Sequence, residues 1–375
     1  MNYYIFTCFL LIIKNASCFQ LNMNAPKITP WNSLQFSLKE RARSWFINNA
    51  VKKGIPWNEL TTNYKKDFAK INSFKYLKEN RNMKYPDYYL MPFHGYDQGN
   101  MNWDAANEAE SATLSIAAGY WKNVDPYVAQ EWMRQNITEN ILTYIEDING
   151  IYEFSPNKIL DIGCSIGIST EYIQKGFPKS EMFGIDLSPY FVGVASYRSQ
   201  IQDLDIQYFH ENAENSSFPS NYFDVIVCNF LFHELPEDAA KNILHEAYRM
   251  IPENGVLIII DMDPDYLDKQ LDNNLFRKWA FESTEPHIYN YYKRNMSKMM
   301  YNTGFKRIRK MKNDPLNSLW LGVKRNERYD TKDVLSERFE KSLEDLYSTN
   351  LDDDWTPGSN IMNGDYVGYG KKMYV

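Results

Sequence analysis

The chain has little cysteine, four residues in 375. Cys8 and Cys18 fall in an apolar N-terminal stretch, which leaves only Cys164 and Cys228 in the body of the protein. Two thiols build no disulfide framework and supply too few ligands for a metal site, so none is expected. Both end strand-like apolar runs and read as small core residues. An excess of basic charge is also missing. The net charge of −7 argues against a general nucleic-acid binder, which needs a basic face. Beyond the first residues no apolar run is long enough to span a membrane, so the mature chain is expected to have no transmembrane helix. Internal repeats are absent too, which gives no basis for a repeat architecture. What is present is enough apolar sequence, 44%, to bury a sizeable core. The length suits one principal domain with extensions.

The N-terminus stands apart. Tyr3 to Ile13 is almost continuously apolar, and Ala16-Ser17-Cys18 has the small residues of a cleavage site. Residues 1–18 therefore read as a signal peptide, too short for a spanning helix, although no basic residue lies near Met1. Residues 19–40 contain one lysine up to Leu38 and no acid before Glu40, as a transit-like leader or linker would. The expectation is entry into the secretory pathway, en route to a plastid bounded by extra membranes. Plain secretion or residence in the endoplasmic reticulum is the alternative. Sequons at Asn136, Asn215 and Asn295 are what chance gives in an asparagine-rich chain.

The informative stretch is Lys158 to Thr170, K-I-L-D-I-G-C-S-I-G-I-S-T. A short apolar strand breaks at Gly163, loops through Cys164, Ser165 and Ile166, and restarts after Gly167 as a helix. Glycines allow close backbone approach, and a helix N-terminus offers free N–H groups to a ligand. A second strand, E-M-F-G-I-D-L, ends near Asp186, about 20 residues on, where an acid can hold ribose hydroxyls. Asn212-Ala213-Glu214 follows a third strand. A fourth, expected over 222–228, runs into N-F-L-F-H-E-L-P.

Taken in order, L-D-I-G-C-S-I-G, G-I-D-L-S, N-A-E, F-D-V-I-V-C-N-F-L-F-H-E-L-P and M-I-P-E-N-G-V-L-I-I-I-D resemble a class I S-adenosylmethionine-dependent methyltransferase. The resemblance is to the methyltransferase type 11 group, which includes quinone-biosynthesis C-methyltransferases. It covers about half the chain. G-x-x-x-G is not the G-x-G-x-x-G of a nicotinamide enzyme. The family often has glycine where this chain has Ser165, and serine is tolerated there with a negative φ.

The resemblance implies a Rossmann-like α/β fold. Its seven-stranded, mostly parallel sheet would have helices on both faces, an antiparallel last strand and a helical N-terminal extension before it. It also implies S-adenosyl-L-methionine as cofactor. Gly163 and Gly167 would shape the loop beside its methionine portion, and Asp161 would support that loop and reach the amino group through water. Asp186 would accept from both ribose hydroxyls, Ala213 and Glu214 would meet the adenine edge, and Asn229 would open toward the methyl group. Cys164, Ser165 and Leu187 complete the cofactor-binding set.

His233, just after the fourth strand, is the candidate base, since an imidazole takes a phenolic or enolic proton near neutral pH. His94 and Tyr96 are further catalytic candidates. They lie in Y-L-M-P-F-H-G-Y-D-Q-G-N, a turn-rich stretch with dense polar and aromatic groups that suits a lid. Asp261-Met262-Asp263-Pro264 and Ser283-Thr284-Glu285-Pro286-His287 are candidates to line the acceptor pocket.

The domains read as 1–18 signal peptide, 19–40 leader, 41–150 helical extension with the lid, 151–325 methyltransferase domain and 326–375 C-terminal extension. The expected activity is methyl transfer to a small, lipophilic acceptor: a prenylated quinone, a phenol or another isoprenoid. The alternatives are a non-enzymatic assembly factor with the same fold, and a protein or RNA methyltransferase. The chain lacks the N-P-P-Y-type motif that amide or amino-group methylation of macromolecules would suggest.

Overall fold

The computed structural model describes residues 43–44, 46–94, 96–121, 123–149, 155–265, 285–314 and 316–325. The expected leader segments, Gly95 of the lid, Ser283-Thr284 and the C-terminal extension lie outside the described residues. Those from Phe46 onward belong to one compact unit, and the following concerns that unit.

Seven strands form one sheet: β1 (Lys158–Ile162), β2 (Glu181–Asp186), β3 (Ile206–His210), β4 (Val225–Asn229), β5 (Val256–Met262), β6 (Phe305–Lys312) and β7 (Asn317–Lys324). Their order is β3-β2-β1-β4-β5-β7-β6. The first five pair in parallel, while β7 runs antiparallel between β5 and β6. The expected mostly parallel sheet with an antiparallel last strand is thus present. Its central strands are apolar at nearly every position because both faces are covered.

Nine helices are labelled here: α1 (Trp57–Lys66), α2 (Phe68–Lys78), α3 (Trp103–Tyr120), α4 (Pro126–Asn149), α5 (Ile168–Gly176), α6 (Pro189–Ile201), α7 (Glu237–Met250), α8 (Ile288–Tyr292) and α9 (Met296–Thr303). Alternate residues of each strand serve opposite faces. Leu160, Ile162, Ile226 and Leu257 pack with Ala240, Leu244 and Ala247 of α7. Ile159, Val225, Val227 and Ile258 pack with Ile137, Ile141, Tyr144 and Ile145 of α4. The last helix of the N-terminal extension is therefore itself a layer of the sheet. Asp125 starts it, its carboxylate accepting the Tyr127 and Val128 N–H groups at 2.9 and 3.2 Å.

The fourth strand begins three residues later than the sequence suggests. Asn221 has a left-handed φ of +58°, and Tyr222 and Phe223 donate their N–H groups to Met250 O at the end of α7. That turn leaves them outside the ladder. Among the described residues no helix is long and apolar enough to cross a membrane.

Candidate active site

The parallel strands place their carboxyl ends side by side, where α/β sheets bind ligands. Asp161, Asp186, Asn229 and Asp261 all sit at or near these ends.

The glycine loop after β1 is held from below. The Gly163 and Cys164 N–H groups donate to Ile185 O at 2.9 and 3.0 Å. The loop alternates through left-handed φ at Gly163 (+72°), Ser165 (+50°) and Gly167 (+85°). A side chain at Gly167 would collide with the Tyr208 ring, so glycine is required there. Ser165 departs from the expected negative φ. Its N–H donates to Asp186 Oδ2 at 2.9 Å, and that contact fixes the strained conformation. Ser165→Gly is accordingly expected to stabilise the fold by up to about 1 kcal/mol. It would be read as a higher denaturant midpoint at unchanged slope, and a lower midpoint would mean that the serine side chain itself holds the loop.

Asp186 already accepts three groups. Besides Ser165, the Ser188 N–H reaches Oδ1 at 2.7 Å and the Tyr89 hydroxyl reaches it at 3.4 Å. Burial pushes this carboxyl up to about 6, against the pull of those bonds. The Tyr89 contact is the long one, and it occupies an oxygen expected to face ribose. Next to it in sequence, Tyr88 donates to Glu214 Oε1 at 2.9 Å, and Asn242 donates to Glu214 Oε2 at 2.9 Å. Ala213 is partly buried against the core, as are Tyr88 and Phe209. Leu187 contributes its carbonyl, 2.9 Å from His210 Nε2.

Asp161 is wholly buried under the loop. Thr170 Oγ1 donates to its Oδ2 at 2.6 Å, and Asn229 Nδ2 lies 3.4 Å from Oδ1. Burial raises this carboxyl to about 7 even against the pull of those two bonds and of Arg134. Arg134, on α4, was not singled out in the sequence. It is 4% exposed. One terminal nitrogen donates to Ser169 Oγ, in the first turn of α5, and the other to Thr113 Oγ1 at 2.7 Å. Its Nε has no partner, and no carboxylate among the described residues lies within ion-pair distance. Burial pulls the guanidinium down to about 10. The Asn229 side-chain oxygen is likewise buried without a partner. A buried cation resting on two neutral hydroxyls is a costly arrangement unless an anion joins it. The methionine end of S-adenosylmethionine carries one carboxylate and one ammonium, so Arg134, Asp161 and Asn229 fit it. Sequence did hold one signal, because Arg134 is the only basic residue in the 24-residue α4.

A second cluster, on the side where the motifs lead one to expect the acceptor, is built from β4, β5, the loop near His94 and the segment before α8. Phe230 turns the chain out of β4 with a φ of +54°. A short 3-10 turn, Phe232–Glu234, follows, and Arg294 fixes it by donating to Phe232 O and Leu235 O at 2.8 and 2.6 Å. This presents His233 to Asp261. The His233 N–H donates to Asp261 Oδ2 at 3.0 Å, and Nδ1 lies 2.8 Å from Oδ1. Burial lowers the imidazole pKa, but the charge and hydrogen bond of Asp261 outweigh it, so the group stands above its ordinary value. A carboxylate at Nδ1 keeps the proton there and leaves the Nε2 lone pair free.

His94 comes to the same place. Its Nε2 is 3.4 Å from Glu234 Oε1 and 3.3 Å from Glu285 Oε1. Its side chain is 38% exposed, so the cluster opens to solvent. Tyr96 points elsewhere, its hydroxyl donating to Glu108 of α3 at 2.7 Å. The candidate lid is tied down, since Ser188 Oγ donates to Asn100 O at 2.7 Å. Asp263 forms a separate network with Ser318, Lys310 and Lys312. Cys164 and Cys228 are buried free thiols, and among the described residues no group of His, Cys, Asp or Glu is placed to hold a metal.

Residues 159–255 match the methyltransferase domain family. A putative methyltransferase of Geobacillus sp. (strain WCH70) is 27% identical over 133 residues, covering 35% of this chain and 51% of that protein. The demethylmenaquinone methyltransferase of Thermotoga maritima is 26% identical over 114 residues, covering 30% and 47%. The chain spans about half the length of these curated relatives. Among solved structures, a putative S-adenosylmethionine-dependent methyltransferase from Methanococcus maripaludis aligns with a TM-score of 0.43 at 16% identity, covering 61% of this chain and 95% of that one. Residues 159–255 thus match a methyltransferase domain family, and they lie in a seven-stranded, mostly parallel sheet of the kind the ordered motifs lead one to expect.

Proposed function

We propose that the protein transfers the methyl group of S-adenosylmethionine to a small-molecule acceptor whose reacting atom carries a hydrogen. The observation that carries this reading is the His233–Asp261 pair at the carboxyl ends of β4 and β5. When bound, S-adenosylmethionine supplies a methyl group already activated on a sulfonium sulfur.

The chain's own residues do the rest. Asp186 and the glycine loop hold the nucleoside end, and Arg134 with Asn229 holds the amino-acid end. Asp261 orients His233, and His233 Nε2 takes the proton from the acceptor atom. Positioning of this kind supplies several kcal/mol of the barrier reduction.

Of the acceptors the motif resemblance suggests, a phenol or quinol has an O–H for His233, while an oxidised quinone has none. A scaffold role is disfavoured because the loop, Asp186 and the histidine pair are all in place. The test incubates the purified protein with methyl-labelled S-adenosylmethionine and cell extract, with Asp186→Ala alongside. Label should enter a small product with the wild type and be lost in the variant. Donor binding with no product in any fraction would overturn the reading, and label in protein or RNA would replace the acceptor class.

A further inference from the structure

The acceptor side of the site is rich in hydrogen-bond acceptors and poor in donors. Glu234 and Glu285 converge on His94 Nε2, and His233 Nε2 lies 3.9 Å from Glu234 Oε1. No lysine or arginine among the described residues is within ion-pair distance of either carboxylate. Glu285 is 6% exposed, and its second oxygen, Oε2, has no partner. Asn100 is 8% exposed and its side chain meets the His94 ring. One buried carboxylate oxygen, Glu285 Oε2, therefore waits for an N–H or O–H group, and buried polar atoms are rarely left so.

The charges point the same way. Burial pushes the Glu285 carboxyl up to about 8, with Asp261 adding to it. Burial also pushes Glu234 well above the usual carboxylate range; His233 pulls it back, and Glu285, Asp186 and Asp261 raise it further. Two adjacent carboxyls resist joint ionisation until a cation enters. Tyr88 and Tyr89 lie within electrostatic reach of Glu234, and the Phe93 ring is 4.0 Å from that of His94. Aromatic rings beside carboxylates suit a cationic ligand.

We infer that the acceptor is a small amine, held as its ammonium ion by Glu285 and Glu234. This rests on the methyl-transfer reading above. An ammonium group brings several N–H donors and the positive charge that the carboxyl pair lacks. A quinone brings only further acceptor oxygens, and a phenol brings one donor and no charge. Loss of one N–H proton to His233 frees the nitrogen lone pair. That pair forms the C–N bond while the donor's C–S bond breaks and leaves its electrons on sulfur. The product departs as an N-methylammonium ion.

The test uses the full chain, methyl-labelled S-adenosylmethionine and a metabolite extract. Products are sorted by retention on a cation exchanger in mild acid and release in base. Label is expected in the fraction released by base. Glu285→Gln is expected to raise KM for that acceptor about tenfold or more while kcat and S-adenosylhomocysteine affinity stay close to wild type. Label in a neutral organic-soluble product overturns the amine but leaves methyl transfer standing, as does an unchanged KM in the variant. No label anywhere, with S-adenosylhomocysteine bound normally, overturns methyl transfer and the amine with it.

Discussion

Replacing His233 with alanine is expected to lower kcat by about 10²- to 10⁴-fold, the usual range for losing a general base. S-adenosylhomocysteine affinity should stay within about threefold, because the role proposed for His233 is toward the acceptor and not the nucleoside. That control separates lost chemistry from lost folding. The pH profile carries a second signature. A base works in its deprotonated form, so the wild-type rate should rise as pH climbs through the His233 pKa. That pKa is held above the imidazole's ordinary value because Asp261 more than offsets the effect of burial. In Asp261→Asn the charge is gone and burial remains, so the inflection should move to lower pH as the maximal rate falls. A His233→Ala enzyme with near-normal kcat, or an Asp261→Asn profile that does not move, would remove His233 from the chemistry.

Arg134→Met is expected to weaken S-adenosylhomocysteine binding by about 2–3 kcal/mol, roughly 30- to 150-fold. Binding of 5′-methylthioadenosine, which lacks the carboxylate, should barely change. The pair of ligands makes the comparison decisive. A structural role for Arg134 would damage both equally, whereas recognition of the carboxylate damages one. The unliganded variant should also melt no lower than the wild type, because a buried cation without an ion-pair partner has been removed. Titration calorimetry with the two ligands and a thermal melt without either would settle the matter. Equal losses for both ligands would place the carboxylate elsewhere.

The sheet was legible because its evidence is local. Apolar runs alternate with turns and helices, and the acids that close β1, β2 and β5 stand in short motifs of fixed order. The loop at Gly163 and Gly167 was legible for the same reason. Ser165 was legible as a departure, but not its left-handed conformation, which depends on a bond from its N–H to Asp186, 21 positions away. Arg134 was passed over because its one local signal, being the lone basic residue of α4, does not by itself announce a ligand. It acquires meaning only when α4 packs on the sheet and brings it to the first turn of α5. Glu285 was read within a segment that could line the acceptor pocket, but its convergence with Glu234 on His94 joins three distant segments and could not be read from any one of them. His94 itself was found from the density of polar and aromatic groups in its loop. Tyr96, from the same density, turned out to bond Glu108. Composition could not say which of the two ring systems faces inward.

The position of β7 has a consequence for synthesis. It is the last described strand in the chain, yet it lies inside the sheet, between β5 and β6. As the polypeptide emerges from the ribosome, β1 to β5 can pair while one long edge of β5 stays open. That edge offers the unpaired N–H and C=O groups of a seven-residue, mostly apolar strand to any neighbouring strand until Asn317–Lys324 arrives. Assembly of the sheet therefore cannot follow the order of synthesis strand by strand, and the nascent chain is prone to aggregation until β7 has emerged. A chain released before residue 317 would keep every motif of the donor site and still present that unsatisfied edge.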